Sequence, residues 1–208
     1  MKNSEWGAVA YLTQSQYGRN GNEIDINNSS SYITGNGGGS TSASKASGTT
    51  NAYNTVTGAK ASTTGNVYGV YDMSGGAYEY VAVFNNTDTK NYESSEGSTF
   101  ASTSGSSDKY ATKYYNTATT GCGNARIYTY GKIGDATKEV NKGGAYALSN
   151  TSTYYNWFGD YPYLCYAGYP FVVRGGYYSG GASAGVFYSS YYRGDSYSNS
   201  SFRVALSL

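Results

Sequence analysis

The apolar residues of this chain come in short blocks, and long tracts of Ser, Thr, Gly and Asn separate them. A tract such as Thr34-Gly35-Asn36-Gly37-Gly38-Gly39 buries too little apolar surface to order itself. The 208 residues therefore predict one core, assembled from a few short elements joined by long loops. One domain over 1–208 is expected, with irregular insertions near 27–64 and 85–120 lying across its surface.

The ordered blocks are legible by their period. Asn3 or Ser4 can cap a short helix on which Trp6, Val9, Ala10 and Thr13 share a face. Turn-forming residues at 17–22 then stop it. Residues 77–84 alternate as a strand, with Tyr78, Tyr80, Ala82 and Phe84 on one side and Ala77, Glu79, Val81 and Val83 on the other. Further strands are predicted at 171–174, 185–188 and 201–206, and further order at 125–130 and 143–148. The expected class is α+β, loop-rich, with short strands and few helices.

Absent residues narrow the chemistry. The chain has no His, which removes the commonest general base and metal ligand. Charged residues make up 13% and leave a net charge of +1, so there is no electrostatic footprint for nucleic acid. No apolar run approaches the ~20 residues that span a bilayer. The start, Met1-Lys2-Asn3-Ser4-Glu5-Trp6, lacks the apolar core of an export signal. An upstream part that handled export, or assembly inside the cell, are the two readings. Cys122 and Cys165 are too far apart for a CxxC pair; buried thiols and a disulfide both stay open.

Three blocks, in order, resemble the formylglycine-generating-enzyme (sulfatase-modifying factor) branch of the C-type-lectin fold. Asn3-Ser4-Glu5-Trp6-Gly7-Ala8-Val9-Ala10 resembles its T-E-A-E-W-E-Y-A-A-R helix. Residues 69–80 resemble G-L-Y-D-M-S-G-N-V-W-E-W, and Arg174-Gly175-Gly176 with Ser201-Phe202-Arg203-Val204-Ala205-Leu206 resembles R-G-G-S-W … G-F-R-V-A. The resemblance implies a C-type-lectin fold that lacks the strands normally preceding the helix. It also implies frame roles for Arg174 and Arg203 as buried hydrogen-bond donors. No Cys lies between Arg174 and Arg203, where the family's copper-binding pair sits, so its oxidoreductase chemistry is not expected. The family's calcium-binding Asn is Gly76 here, while Glu79 is kept and is expected as a structural acceptor. Neither cofactor nor metal is expected.

The ending also resembles the variable proteins of diversity-generating retroelements, which include phage tail-tip receptor binders and share the R-G-G … F-R-V-A-L frame. In that group adenine mutagenesis of AAC or AAT codons excludes Lys, Glu, Gln, Met and Trp. None of the five occurs between Gly176 and Ser201. The resemblance implies a non-enzymatic, diversified binding region over 157–208, displayed on a virion tail or a bacterial surface. The expected partner is a protein or glycan receptor, and an oligomer is compatible with such display. Tyr, Ser, Gly and Asn are also the residues of antibody combining loops, where Tyr gives large area at little entropy cost. The candidate ligand contacts are Tyr177, Tyr178, Ser179, Tyr188, Ser190, Tyr191, Tyr192, Asp195, Ser196, Tyr197 and Asn199, with Asp160, Tyr161 and Tyr163 extending the surface. Arg193 either binds or is solvated. The rival reading is a structural surface or virion protein whose tyrosines pack subunits together.

Overall fold

The computed structural model describes residues 1–28, 33–34, 51–85, 109–114, 134–137, 157–161 and 171–206. The stretches at 125–130 and 143–148, both cysteines and Tyr163 lie outside these. Among the described residues the fold is mixed α/β and loop-rich, with one α-helix and a small mixed sheet.

Helix α1 spans Asn3–Gln14. Its N-cap is Lys2, whose N–H donates to Glu5 Oε2 at 2.7 Å, rather than the expected Asn3 or Ser4. Tertiary contacts draw those two away. Asn3 Oδ1 accepts from Arg174 Nε at 2.8 Å, and the Ser4 N–H donates to Thr112 Oγ1 at 2.9 Å. Trp6, Ala10 and Thr13 are buried, as their spacing predicts, and Val9 is half-buried. The Trp6 indole N–H donates to Val186 O at 2.7 Å, so burial of the ring leaves its one donor satisfied.

The main sheet has the order β5-β4-β1-β6, from β1 (Tyr78–Val81), β4 (Phe171–Gly175), β5 (Gly185–Tyr192) and β6 (Ser200–Phe202). β1 runs antiparallel to β4 and parallel to β6, and β4 runs antiparallel to β5. Two short strands, β2 (Val83–Asn85) and β3 (Thr112–Tyr114), pair in parallel beside it. The side facing α1 is the core: Trp6, Ala10, Ile24, Met73, Val81, Val83, Val172, Val186 and Phe187 form one buried cluster. Each large side chain of that set contributes on the order of 2 kcal/mol.

Three expectations change. The strand predicted over 77–84 is interrupted at Ala82, whose N–H donates to Met1 O at 2.9 Å and whose carbonyl accepts from Asn3 N at 3.4 Å. The chain start thus takes the edge of β1 beyond Tyr80. For the same reason the strand predicted to Leu206 stops at Phe202, because the position that Val204 would pair with is filled. The predicted insertion over 27–64 is not wholly superficial either. Asn27, Thr34, Ala59, Ala61, Ser62 and Thr63 are buried, around a 3-10 turn at Gly58–Ala61.

The longest strand, β5, carries the irregularity that shapes the molecule. Gly175 pairs with Gly185 but Arg174 pairs with Ser189, so Val186, Phe187 and Tyr188 bulge between these pairs. Their backbone groups find side-chain partners instead. Arg174 Nη1 donates to Tyr188 O at 3.2 Å, and Asp160 Oδ2 accepts the Phe187 N–H at 2.8 Å. The Arg-Gly-Gly motif is explained here. Gly176 holds φ +74°, and a Cβ there would stand 2.5 Å from Ala184 Cβ.

Candidate functional site

The sheet face away from α1 is a tyrosine surface. Strand alternation places Tyr78 and Tyr80 of β1, Phe171 and Val173 of β4, and Ser190 and Tyr192 of β5 on that side. Residue pairing fixes the neighbours: Tyr80 lies opposite Val173 and Phe202, and Phe171 lies opposite Tyr192. The bulge adds Tyr188, and the segments flanking the sheet add Tyr161, Tyr177 and Tyr197.

The rings interlock in two tiers. Tyr78, at 7% exposure, and Tyr188, at 6%, form the floor together with Val173. Tyr177 stacks on Tyr78 with centroids 4.7 Å apart and 29° between planes, and Tyr161 stacks on Tyr188 at 5.9 Å and 29°. Tyr192 meets Tyr78 at 5.2 Å and stands edge-on to Tyr80 at 6.1 Å. Tyr197, 50% exposed, stands edge-on to Tyr192 at 5.7 Å, and Tyr178 meets Tyr177 at 5.5 Å. Offset and edge contacts of this kind each add roughly 0.5–1.5 kcal/mol beyond area burial, so the face is held by its own rings.

The hydroxyls are organised as well. Tyr188 OH donates to Tyr78 OH at 3.3 Å, Tyr80 OH donates to Asp195 O at 3.2 Å, and Tyr197 OH donates to Asp195 Oδ2 at 3.3 Å. Burial, reinforced by neighbouring tyrosines, pushes the Tyr78 hydroxyl well above the ordinary phenol range. Burial likewise pushes Tyr80 and Tyr188 up to about 12 and raises Tyr192. All four therefore stay neutral at physiological pH and act as hydrogen-bonding hydroxyls.

The loop after β5 folds back over the end of this face. Gly194 makes the approach possible: a Cβ at its φ of +96° would stand 2.6 Å from the Phe171 ring. Asp195 and Ser196 are exposed along the loop, and Asn199 closes it by accepting the Tyr78 N–H at 2.8 Å through its carbonyl.

Of the residues expected to contact a ligand, Tyr177, Tyr178, Tyr192, Asp195 and Tyr197 gather on or around this surface, and Ser179 and Ser196 are exposed at its margins. Tyr188 and Ser190 are corrections: both are buried, because the bulge and the overlying rings cover them. Tyr191 lies opposite Val172, on the other side of the sheet from Tyr192. Asp160 is fully buried and holds the bulge, while Tyr161 does join the face. Tyr78, Tyr80 and Phe171 were missed. Their alternation signalled strands, but nothing local signalled that strands so distant in sequence would share an aromatic face.

The frame arginines act inside the protein. Arg174 is wholly buried and donates to Asn3 Oδ1 and to the carbonyls of Asp135, Ala136 and Tyr188. Arg203 forms a bidentate pair with Glu79, at 2.8 and 2.6 Å, and reaches Tyr71 O at 3.0 Å. That pairing bears on the calcium site of the resembled family. Both Glu79 oxygens are committed to a guanidinium and Gly76 offers no side-chain oxygen, so these residues do not fit a calcium ion that needs six to eight oxygens.

Comparison with protein families, with characterised proteins and with solved structures gives no match to this chain.

Proposed function

We propose that this chain is a non-enzymatic receptor-binding domain of the C-type-lectin fold, a variable protein that presents its tyrosine face to a protein or glycan on a cell surface. The display platform in this reading is a phage tail or a bacterial surface. One observation carries it: a contiguous aromatic face, braced ring against ring, whose outer tier of Tyr177, Tyr178, Tyr192 and Tyr197 stays partly open to solvent. Preformed rings lose little entropy on binding, and their hydroxyls satisfy a polar partner.

Genetics and binding together test the proposal. A near-identical repeat of the gene's 3′ end, differing only at adenines and lying beside a reverse transcriptase, is the expected arrangement. The differing codons should include those of outer-tier residues such as Tyr177 and Tyr197, and spare Arg174 and Arg203. Once a receptor is captured, Tyr197→Ala should weaken binding by about 2 kcal/mol, roughly thirtyfold, with folding unchanged. Undiminished capture by a Tyr177→Ser, Tyr178→Ser, Tyr197→Ser triple variant would sink the idea.

A second reading, packing between subunits, is favoured by Val204 and Leu206, which are 77% and 85% exposed. Sedimentation of the same triple variant separates the two. Loss of an assembly assigns the tyrosines to subunit contacts, whereas loss of receptor capture by an unchanged species assigns them to the ligand.

A further inference from the structure

Strands β5 and β6 run in the same direction, because β5 is antiparallel to β4, β4 is antiparallel to β1, and β1 is parallel to β6. The chain between them, residues 193–199, must therefore return from one end of the sheet to the other across a face. It crosses the tyrosine face. Gly194 lies against the Phe171 ring, and the Asp195 carbonyl accepts from the Tyr80 hydroxyl at 3.2 Å. Further along, the Tyr197 ring stands edge-on to Tyr192, and the Tyr197 carbonyl accepts the Ser200 N–H at 3.1 Å. The crossover is thus tied to the face along its length, while residues 193–198 stay exposed on its outer side.

The exposed start of this crossover reads Arg193-Gly194-Asp195-Ser196. Its glycine is required by the geometry, since φ is +96° and a Cβ would stand 2.6 Å from the Phe171 ring. Gly194 is therefore the point of close approach, and a charged residue of each sign flanks it in solvent. The Asp195 carboxylate accepts one long bond, from the Tyr197 hydroxyl to Oδ2 at 3.3 Å. An ionised carboxylate has room for about four acceptor contacts, so this one keeps capacity for a partner. Loops that run over a rigid scaffold with exposed charges are where recognition concentrates.

One guanidinium and one carboxylate, separated by a single glycine, carry no net charge. That pair does not suit a nucleic acid or an anionic membrane, both of which select an excess of cations. It suits a protein receptor with one site for each sign. An acidic pocket takes the forked guanidinium, and a divalent cation with an open position takes a carboxylate oxygen. We propose that Arg193-Gly194-Asp195 is the element of this face that a receptor reads, and that the receptor is a divalent-cation-dependent adhesion protein of the integrin class. The inference rests on the tyrosine face being the receptor-facing surface, and it names the partner of that surface. The metal belongs to the receptor. This chain supplies one ligand oxygen to it, from a loop whose anchors lower the entropy cost of binding.

The test immobilises the full chain and passes over it a purified integrin ectodomain that binds Arg-Gly-Asp peptides, in magnesium chloride and again in EDTA. Saturable capture is expected in magnesium, with none in EDTA. Free Arg-Gly-Asp-Ser peptide should compete, and Arg-Gly-Glu-Ser peptide should not. Asp195→Glu keeps the charge at an exposed position but moves the carboxylate out by one methylene. It should leave the melting temperature unchanged and weaken capture about thirtyfold or more. Arg193→Gln should weaken it as well. Absence of capture by the native chain, capture that persists in EDTA, or capture undiminished by Asp195→Glu or by the free peptide would each overturn the assignment. Such a failure leaves the tyrosine reading standing. That reading is judged separately, by the Tyr177→Ser, Tyr178→Ser, Tyr197→Ser variant against the receptor captured from the cell surface, with neither metal nor peptide in the comparison.

Discussion

Arg174 has no exposed surface and still keeps every branch of its guanidinium bonded to an oxygen. It stands where α1, β5 and the segment around Asp135 and Ala136 meet, and it satisfies carbonyls that no strand partner reaches. Arg174→Ala should cost about 3 kcal/mol or more in urea unfolding, because it leaves several buried acceptors without donors. Arg174→Lys should recover only part of that, since a point charge cannot span the same fork of acceptors. Glu23 provides the pH counterpart. Half-burial, aided by the charge of Asp25, pushes its carboxyl up to about 7. The folded state then binds more protons than the unfolded state between the ordinary carboxyl value of 4.5 and about 7. Stability should therefore be greatest below that window, fall as pH rises through it, and stay level above. Glu23→Gln should flatten this slope in urea titrations at stepped pH, with a gain above neutrality on the order of 1 kcal/mol after solvent screening.

At the scale of elements, the bulge in β5 decides which tyrosines are floor and which are rim. Asp160 holds it by accepting the Phe187 N–H, and Tyr161, the next residue, stacks on Tyr188 and accepts the Ser189 N–H at 2.8 Å through its carbonyl. Asp160→Ala should cost roughly 1–3 kcal/mol through the orphaned amide. It should also make the Ser189 and Tyr188 amides exchange with deuterium faster, while those of α1 change less. Gly176→Ala acts on the other end of the same strand pair, where positive φ and the contact with Ala184 leave no room for a side chain. A loss of about 1–3 kcal/mol in thermal or urea unfolding is expected. Short apolar runs revealed β4 and the start of β5, but alternation at 185–188 placed Val186 away from the core, where the structure buries it beside Phe187. Neither pattern revealed the bulge, because the carbonyl and carboxylate partners that make one tolerable come from residues far along the chain.

Across the whole molecule, two layers lie on opposite sides of one small sheet: an aliphatic and indole core toward α1, and a tyrosine layer away from it. The second layer has a titration signature. Tyr80 and Tyr188 are pushed to about 12 and Tyr78 higher still, whereas an unfolded tyrosine ionises near its ordinary value of 10.0. The native state thus holds the extra protons at alkaline pH, and stability should decline as pH rises from about 10 toward 12. The last part of the rise in tyrosinate absorbance should coincide with loss of far-ultraviolet dichroism. A smooth titration completed while the protein remains folded would show that the floor tyrosines are solvated. The sequence by itself determined the ingredients. The Trp6 face of α1, the alternation of β1, the apolar run of β4, the turn glycines and the concentration of Tyr after residue 176 are local patterns, fixed by period and side-chain type. Only the tertiary structure decided which tyrosines are covered, that Tyr78 and Tyr80 join those from the far end of the chain, and that the chain start truncates β6. Burial and charge balance depend on which strands become neighbours. Strand period carries no information on partners one hundred residues away, so those outcomes arise from packing alone.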